Sequence, residues 1–413
     1  MTIKQSPDDF LVEEILTESV RSKVRTQRGG HALYRLTKEG LTTPQAAAAA
    51  AKALGVRPGL VAYGGLKDRH ARTVQHVTAP VDAIKAPASE KAEGPGWQIE
   101  RLGRLDAPIT AEAIEANRFR ITVRDLAQEA CDRMDEAARL LTLSPQDVPR
   151  RSRVGLEQSG ERLFVNYFGD QRFGSARHGR GFLAKHLVRG EFEDALRLAI
   201  AVWHRKDSRR TKEFKRAVSQ SWGRWSDALA NLPPCPERRA VEHLASAPTD
   251  FRGAFAALPY DFQEIAVHAY QSHLWNATAR RLVDARCSDP GPVLVADDPF
   301  GKMHFPAALF VPPDLVSLDL PVLGHGSVLR EPWKSAAEAV LAEEGVTTEM
   351  LRIPGLRRPQ FAEVPRPLFA RASGFELSAC SPDEAHPHRL KRTVAFDLPR
   401  GSYATVVLRA LGQ

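Results

Sequence analysis

The stretch that most constrains this chain is a strand–loop–strand pattern at residues 60–78. The apolar segment Leu60-Val61-Ala62-Tyr63 predicts a short strand. The alternating, β-rich segment Thr73–Thr78 predicts a second strand. Between them, Gly64-Gly65 offers the backbone freedom that a tight connection needs. We therefore expect two neighbouring strands joined by a compact loop.

The tip of this loop concentrates charge around a single carboxylate. Asp68 stands between Lys67 and Arg69. Nearby positive charge favours the ionised form of a carboxyl group, and the same cations could meet a phosphate-bearing substrate. Solvated charges on a polar loop are the alternative, because loops carry such charges commonly. This stretch alone leaves both interpretations open.

Length and hydropathy limit the classes of protein to which this chain can belong. A chain of 413 residues exceeds one ordinary core, so we expect two domains. The sequence holds no uninterrupted apolar run of about 18 residues, which argues against a membrane span. The N-terminal residues lack the apolar centre of a signal peptide, so we expect a cytoplasmic protein with no membrane partner.

The charge balance favours a polyanionic partner. The formal net charge is +8 and the isoelectric point is near 9.4. Such a balance is typical of proteins that neutralise phosphates, although it indicates neither a sequence nor a reaction. A short basic cluster, Arg150-Arg151-Ser152-Arg153, is more typical of a solvated loop than of a binding site.

Metal-ligand patterns are weak. The four cysteines are Cys131, Cys235, Cys287 and Cys380. Because they are widely spaced, we expect from them neither a disulfide framework nor a pair of metal ligands. The closest histidine pair is His386 and His388, without a cysteine nearby. We predict no metal site and, since glycine-rich phosphate or dinucleotide motifs are missing, no cofactor.

Two segments before the charged loop complete a βαβ-like order. Residues His31–Lys38 alternate as a strand. A helix follows, with Thr43 as the predicted N-cap, Pro44 at its first position and Gly55 at its end. The alanine-rich helix between these residues is expected to pack closely on a sheet.

From about residue 186 the pattern becomes helical. Side chains at helical spacing predict a buried stripe: Phe192, Leu196, Ile200 and Trp203. Ser208 is a candidate start of the next helix, on which Arg209, Lys212 and Arg216 share one face. This face is either solvated or a track for an RNA backbone, and its spacing leaves both possibilities open.

The charged loop also carries a family resemblance. The run at 64–75, Gly-Gly-Leu-Lys-Asp-Arg-His-Ala-Arg-Thr-Val-Gln, closely resembles the signature of the TruD family of pseudouridine synthases. In that family the aspartate is the catalytic residue, so the resemblance assigns catalysis to Asp68. We place Lys67 beside it as a substrate-binding residue.

Three further segments resemble TruD motifs in family order. The opening Lys4-Gln-Ser-Pro-Asp-Asp-Phe implies that Lys4 reaches into the active site as a candidate cation beside Asp68, where it would hold the carboxylate ionised and oriented. The run Asn166-Tyr-Phe168-Gly-Asp-Gln-Arg-Phe-Gly implies that Asn166 lies near the aspartate and that Phe168 lines the uracil pocket. The run Leu398-Pro-Arg-Gly-Ser-Tyr403-Ala-Thr implies that Tyr403 faces the site. Read alone, Lys4 is an ordinary exposed lysine and the aromatic residues are core.

The resemblance implies an α+β fold, with a mixed or antiparallel sheet in a pseudouridine synthase-like catalytic domain and a TruD-specific α/β domain inserted in it. We expect the catalytic domain at 1–189 and 356–413 and the inserted domain at 190–355.

The implied reaction converts a uridine in tRNA to pseudouridine, exchanging an N1–C1′ bond for a C5–C1′ bond. Bacterial family members act on uridine-13 in the D arm of certain tRNAs, whereas eukaryotic ones also modify other RNAs. A single acid distinguishes this expectation from glycoside hydrolysis, which normally uses two carboxylates, and from magnesium-dependent nucleases. Attack at the uracil ring and attack at C1′ both stay open. The alternative is a non-catalytic RNA-binding protein of the same fold, which gives Asp68 no purpose. We expect a monomer whose partner is RNA.

Overall fold

The computed structural model describes residues 2–25, 28–85, 90–143, 160–176, 178–287 and 291–412. The chain forms two compact units, the first comprising Met1–Phe164 with Ala370–Gln413 and the second comprising Val165–Phe369. The second unit thus interrupts the first in sequence, and it extends beyond the expected range 190–355 at both ends. The basic cluster at 150–153 lies outside the described residues.

The first unit is built on an eleven-stranded sheet. Its strands are β1 (Phe10–Leu16), β2 (His31–Lys38), β3 (Ala62–Tyr63), β4 (Arg72–Pro80), β5 (Lys91–Gly94), β6 (Trp97–Leu105), β7 (Ile114–Leu126), β8 (Arg162–Val165), β11 (Phe369–Leu377), β12 (Ser381–Pro382) and β13 (Leu390–Pro399). The order along the sheet is β5-β6-β2-β4-β1-β7-β13-β11-β8, with β3 beside β4 and β12 beside β13. β1 runs parallel to β4 and antiparallel to β7, so the sheet is mixed.

Four α-helices accompany this sheet among the described residues: α1 (Glu18–Arg21), α2 (Thr43–Leu54), α3 (Gln128–Leu140) and α13 (Ala404–Ala410). The alanines of α2 pack with the buried side chains Tyr34 and Leu36 of β2 and Ile99 of β6. Small side chains let the helix backbone approach the sheet closely, which explains the alanine-rich sequence.

The start of α2 differs from the prediction by one residue. Thr42, not Thr43, is the N-cap, and its side chain accepts from the Gln45 N–H in a capping box. Pro44 consequently occupies the second helical position and not the first, whereas Gly55 ends the helix as predicted, with a φ of 68°. Thr43 is displaced from the capping role because its hydroxyl serves the loop around Asp68.

The loop between β3 and β4 spans residues 64–71 and is longer than the tight connection that two adjacent glycines suggested. Residues Pro58–Leu60 form a short 3-10 helix, which leaves only Ala62–Tyr63 as strand. Gly64 serves close packing, because a Cβ there would lie 2.7 Å from Ile114 Cγ1. Gly65 has no such neighbour within 4 Å.

The second unit is predominantly helical. Its described helices are α4 (Leu183–Val188), α5 (Phe192–Ile200), α6 (Arg209–Gln220), α7 (Trp225–Asn231), α8 (Arg238–Ser246), α9 (Phe251–Ala256), α10 (Tyr260–Cys287), α11 (Pro313–Val316) and α12 (Lys334–Glu344). Strands β9 (Val293–Asp298) and β10 (Gly301–Pro306) pair antiparallel. Of the helices in the described ranges, none combines the length and the apolar character needed to cross a membrane.

The predicted buried stripe in the second unit holds only in part. Leu196 and Ile200 are fully buried within α5. Trp203 lies beyond the end of that helix and is 40% exposed, so its assignment to the core is wrong. The helical spacing extended the stripe one turn too far because the sequence carries no strong stop signal after Ile200.

The expectation about the cysteines is also corrected. Cys131 in α3 and Cys380 after β11 form a disulfide across 249 residues of sequence. Cys235 and Cys287 are free. Spacing in sequence could not reveal the pair, because the two cysteines meet only when the two parts of the first unit assemble on one sheet.

Candidate active site

The carboxylate of Asp68 is the centre of a charged network in the first unit. Lys4 donates from Nζ to Asp68 Oδ2. The main-chain N–H of His70 donates to Asp68 Oδ1 at 2.9 Å. The Asp68 side chain is 28% exposed, so it is held on two sides and still open to solvent. These contacts leave the carboxylate oriented and accessible.

Lys4 reaches this position through an uncommon backbone conformation. Its φ is 63°, in the left-handed region that costs a non-glycine residue roughly 1 kcal/mol or more. Its Nζ lies 4.3 Å from the centroid of the Phe10 ring. The ion pair and this cation–π contact hold the strained residue in place, and strain of this kind is concentrated at functional sites.

The pKa of Asp68 reflects opposing effects. Burial alone would raise it, but the hydrogen bonds from Lys4 and the His70 N–H outweigh burial and hold the pKa below its usual 3.8. Asp68 is therefore ionised at neutral pH, as a nucleophile or base must be.

The side chains of Lys67 and Arg69, which flank Asp68 in the sequence, do not contact the Asp68 carboxylate but bind other groups. Lys67 Nζ pairs with Glu14 Oε1 at 2.7 Å, and Arg69 Nε donates to the Gly40 carbonyl at 2.9 Å. The cation on the Asp68 carboxylate thus comes from Lys4, 64 residues away in sequence, and not from the flanking residues. Adjacent side chains on an extended loop diverge, so adjacency did not predict contact.

Glu14 is a second carboxylate beneath the loop, and it is committed to structural contacts. Its side chain is fully buried on β1, and Oε2 accepts the His76 N–H at 2.8 Å. Burial would raise the pKa of Glu14, but hydrogen bonding from His76 and the charge of Lys67 outweigh burial. The pKa of Glu14 is therefore below its usual value. Glu14 therefore anchors Lys67 as an ion pair.

Lys38 is a buried cation behind Asp68. Lys38 is 1% exposed, and its Nζ donates to the main-chain carbonyl of Asp68 at 2.8 Å. Burial lowers its pKa to about 8, with the positive charge of Lys67 acting in the same direction and the Asp68 carboxylate opposing both. Asp68 is thus flanked by Lys4 at its carboxylate and by Lys38 at its backbone.

Thr43 and Gln75 fix the loop from the other side. The Thr43 hydroxyl accepts the Lys67 N–H at 2.9 Å and donates to Gln75 Oε1 at 3.0 Å. Both residues are buried. The start of α2 and the middle of β4 therefore clamp the backbone next to Asp68.

Sequence reasoning missed Glu14 and Lys38, although a signal existed. Glu14 follows Phe10 and Val12 at a spacing of two on β1, and Lys38 follows Tyr34 and Leu36 in the same way on β2. A charged residue at a position where strand alternation predicts an apolar one indicates a buried, paired charge.

Two predicted site residues lie in the second unit. Asn166 donates from Nδ2 to the Pro367 carbonyl at 3.2 Å, and its Oδ1 accepts from Arg366 at 2.9 Å. The backbone of Phe168 is held at both polar groups by the Asn276 side chain, at 2.9 and 3.0 Å. Each of these residues is therefore held by specific contacts within its own unit.

The Phe168 ring is packed among a cation and an indole. The Arg366 guanidinium lies 3.9 Å from the ring centroid, and the Trp275 ring meets it edge-on at 5.6 Å. Phe168 is 7% exposed and Arg366 is 8% exposed. A ring held this firmly can act as a rigid wall for a flat ligand.

Tyr403 belongs to the first unit, where it is the N-cap residue of α13 with an extended backbone. It is half-buried. The structure therefore describes Asp68, Lys4, Lys67 and Tyr403 in the first unit and Asn166 and Phe168 in the second.

The three predicted RNA-backbone residues lie on α6, and Ser208 caps that helix as predicted. Arg209 pairs with Glu213 at 2.8 Å, and Lys212 donates to the Arg205 carbonyl. Arg216 lies over the Trp203 ring at 5.3 Å from its centroid. The opposite face of α6 buries Phe214 and Val218.

One group of potential metal ligands occurs within the described residues. Atoms of His186, Glu191 and Asp194 lie within 4.8 Å of one another. His186 Nδ1 is already 2.6 Å from Glu191 Oε2, so that pair can be satisfied as a hydrogen bond. The absence of a metal in the reaction stays a prediction.

The chain is similar to known proteins along nearly its whole length. The sequence model of the family described as tRNA pseudouridine synthase D (TruD) matches residues 1–297 and 313–411. A tRNA pseudouridine synthase D of Aquifex aeolicus is 28% identical over 99% of this chain and 97% of its own length. A relative from Methanopyrus kandleri, named "Probable tRNA pseudouridine synthase D", is 30% identical over 95% of this chain and 88% of its own length.

The fold has a counterpart of known structure. The crystal structure of a Methanosarcina mazei protein described as "Putative tRNA pseudouridine synthase D (TruD)" superposes with a TM-score of 0.72 at 23% identity, covering 99% of this chain and 92% of that one. This likeness confirms the α+β fold with its large mixed sheet. Given the match of the family model to nearly the whole chain, the protein belongs to the TruD family of tRNA pseudouridine synthases, isomerases whose function is to convert uridine in tRNA to pseudouridine.

Proposed function

We propose that this chain isomerises uridine-13 in the D arm of tRNA, with Asp68 as the nucleophile. One observation carries the assignment of Asp68. It is an accessible, ionised carboxylate whose two oxygens accept from Lys4 and from the His70 N–H. A carboxylate fixed in this way loses little freedom when it attacks an electrophilic carbon.

The reaction balances without a co-reactant. The N1–C1′ bond breaks and its electron pair passes to uracil N1, which takes up a proton. C5 forms the new bond to C1′ and releases its own proton, so one proton is lost at C5 and one is gained at N1. Asp68 acts either at C1′ or at the uracil ring during this exchange. Because atoms and electrons balance within the substrate, we propose that no cofactor takes part.

Holding the detached uracil is the task that we assign to the aromatic residues. Extruding a base from its stack costs a few kcal/mol. Stacking on an aromatic ring returns about 1–3 kcal/mol per base. We assign this stacking to Phe168 and Tyr403, hydrogen bonding near the aspartate to Asn166, and substrate binding to Lys4 and Lys67. The rigid setting of Phe168 between Arg366 and Trp275 supports its role.

Further parts of the proposal concern organisation. We assign the catalytic domain to the part of the chain that carries the eleven-stranded sheet and the inserted domain to the helical part, and we propose a cytoplasmic monomer. The face of α6 with Arg209, Lys212 and Arg216 is proposed to follow the RNA backbone. Its support is the exposure of Arg209 and Arg216 on the side opposite the buried Phe214.

The decisive experiment compares two carboxylate substitutions. Asp68→Asn should abolish pseudouridine formation, mapped by chemical modification of tRNA transcripts, while RNA affinity changes by no more than a few fold. The matched control is Asp8→Asn, because Asp8 is an exposed carboxylate of the same unit that pairs with Arg72. A transcript with cytidine at position 13 tests the target uridine. Turnover by Asp68→Asn would contradict the assignment of the nucleophile.

A further inference from the structure

The segment from Trp203 to Arg216 concentrates the positive charge of the molecule. It holds seven lysine or arginine residues and two acidic ones, so its formal net charge is +5, against +8 for the whole chain. Two of its cations are paired within the segment, Arg209 with Glu213 and Lys215 with Asp207. The remaining excess charge makes this surface suited to a polyanion.

A histidine beside the segment responds to the same electrostatic field. Burial, together with the positive charges of Lys215 and Arg180, lowers the pKa of His178 to about 4, although the Asp207 carboxylate opposes this shift. The neutral form of His178 therefore predominates at physiological pH, because a further cation is disfavoured there.

Trp203 is the one large aromatic side chain of this segment that is exposed. It follows the end of α5 and is 40% exposed, whereas Phe214 of the same segment is only 1% exposed. Arg216 lies over the Trp203 ring at 5.3 Å from its centroid. A guanidinium against one indole face orients the arginine and leaves a flat, partly exposed platform beside it.

We propose that Trp203 and Arg216 form a stacking site for an unpaired base of the RNA substrate, next to the backbone-contacting face of α6. This inference rests on the proposed function in one respect, that the ligand is RNA. Duplexes bury their base faces, so the site would select unpaired nucleotides, as in loops and bulges. A partner protein would offer neither regularly spaced phosphates nor free base faces.

The site makes two separable contributions to binding. Stacking on Trp203 is insensitive to salt, whereas a phosphate contact by Arg216 releases counterions and contributes about one unit to the slope of log affinity against log salt. Binding of an unmodified tRNA transcript is therefore to be measured at several salt concentrations with the full chain. Trp203→Ala should weaken binding about tenfold with an unchanged slope.

Three further variants sharpen the test. Trp203→Phe should keep affinity within about threefold of wild type, because it retains an aromatic face. Arg216→Met should lower the salt slope by about one unit. Tyr260→Ala is the matched control, since Tyr260 is an aromatic residue of the second unit with 43% exposure outside the basic segment, and it should bind like wild type. A fully paired RNA duplex should bind wild type and Trp203→Ala equally.

Unchanged tRNA affinity of Trp203→Ala would overturn the inference, and so would an equal loss of affinity for the duplex. These affinity measurements do not depend on whether Asp68 is the nucleophile. If wild type forms no pseudouridine and Trp203→Ala still loses affinity for tRNA only, the stacking site stands and the proposed reaction fails. If wild type forms pseudouridine and Trp203→Ala binds normally, the stacking site alone fails.

Discussion

Lys38 donates a hydrogen bond from its buried ammonium to the main-chain carbonyl of Asp68, at 2.8 Å. The contact joins the end of β2 to the loop that carries the carboxylate, 30 residues further along the chain. A lysine with 1% exposure is costly for the fold, since burial disfavours its charged form. We therefore expect Lys38 to serve the position of Asp68 and not the stability of the fold.

Replacing Lys38 tests this balance. Lys38→Met should reduce turnover by about 10- to 100-fold, because the Asp68 backbone loses its anchor, while the free energy of unfolding at pH 7 stays equal or increases. A pKa of about 8 in place of the usual 10.5 corresponds to a penalty of about 3 kcal/mol for the charged form. Urea unfolding and single-turnover rates measure the two effects.

The sign of the pH effect is specific. Between pH 8 and 10.5 the folded protein releases the Lys38 proton while the unfolded chain still holds it. The contribution of Lys38 to the free energy of unfolding therefore rises with pH across this window. Wild type should gain stability there relative to Lys38→Met. If the difference in free energy of unfolding between wild type and Lys38→Met stays constant from pH 7 to 10, the lowered pKa of Lys38 is contradicted.

Lys4 should determine the acid limit of activity. In wild type the lowered pKa of Asp68 keeps the carboxylate ionised, so rates should not fall as pH decreases from 7 to 5. In Lys4→Met burial is no longer outweighed by the Lys4 hydrogen bond, so the pKa rises and the rate should fall on the acid side of neutrality. Lys4→Arg is the control that keeps a donor. Parallel pH profiles for wild type and Lys4→Met would exclude this role.

Gly64 and Gly65 should respond differently to the same substitution. Gly64→Ala places a Cβ 2.7 Å from Ile114 Cγ1 and should destabilise the fold by about 1–3 kcal/mol. Gly65→Ala meets nothing within 4 Å and should stay within about 0.5 kcal/mol. Adding Ile114→Ala to Gly64→Ala should show favourable coupling in a double-mutant cycle. Additive losses would indicate that the glycine serves another purpose.

The disulfide should be detectable chemically. Unfolded protein that has not been reduced should expose two thiols, those of Cys235 and Cys287, and reduction should expose four. Cys131→Ser should lower the free energy of unfolding by about 2–4 kcal/mol under oxidising conditions. Cys235→Ser should leave the disulfide intact. Four thiols in the unreduced protein would contradict the pairing.

Local pattern predicted much of the framework around Asp68. Periodicity and cap chemistry predicted the strand His31–Lys38, the centre of β4 at Thr73–Thr78, the Gly55 end of α2 and the Ser208 cap of α6. The N-cap was misplaced by one residue because Thr42 and Thr43 have the same capping chemistry. Only the contact between Thr43 and the Lys67 N–H distinguishes them.

The partners of Asp68 illustrate what pattern alone could not supply. Adjacency in the chain indicated Lys67 and Arg69 as the cations around Asp68, yet Lys67 contacts Glu14 and Arg69 contacts the Gly40 carbonyl. Lys4, which only the family resemblance indicated, is the cation that contacts the carboxylate. Trp203 was likewise assigned to a core that it does not join. For each of these residues, the direction of the side chain depends on how the backbone continues outside the helix, strand or loop that the local sequence predicts.

By itself the sequence determined the order and type of the elements, the excess of positive charge and the motifs that identify the family, because these properties depend on residues close together in the chain. Tertiary structure decided that Lys67 and Arg69 turn away from the Asp68 carboxylate, that Lys38 and Glu14 are buried beneath the loop, and that Cys131 meets Cys380. Hydrogen bonds and ion pairs form over about 3–4 Å. Contacts so short between residues far apart in sequence exist only after the strands have taken their order in the sheet.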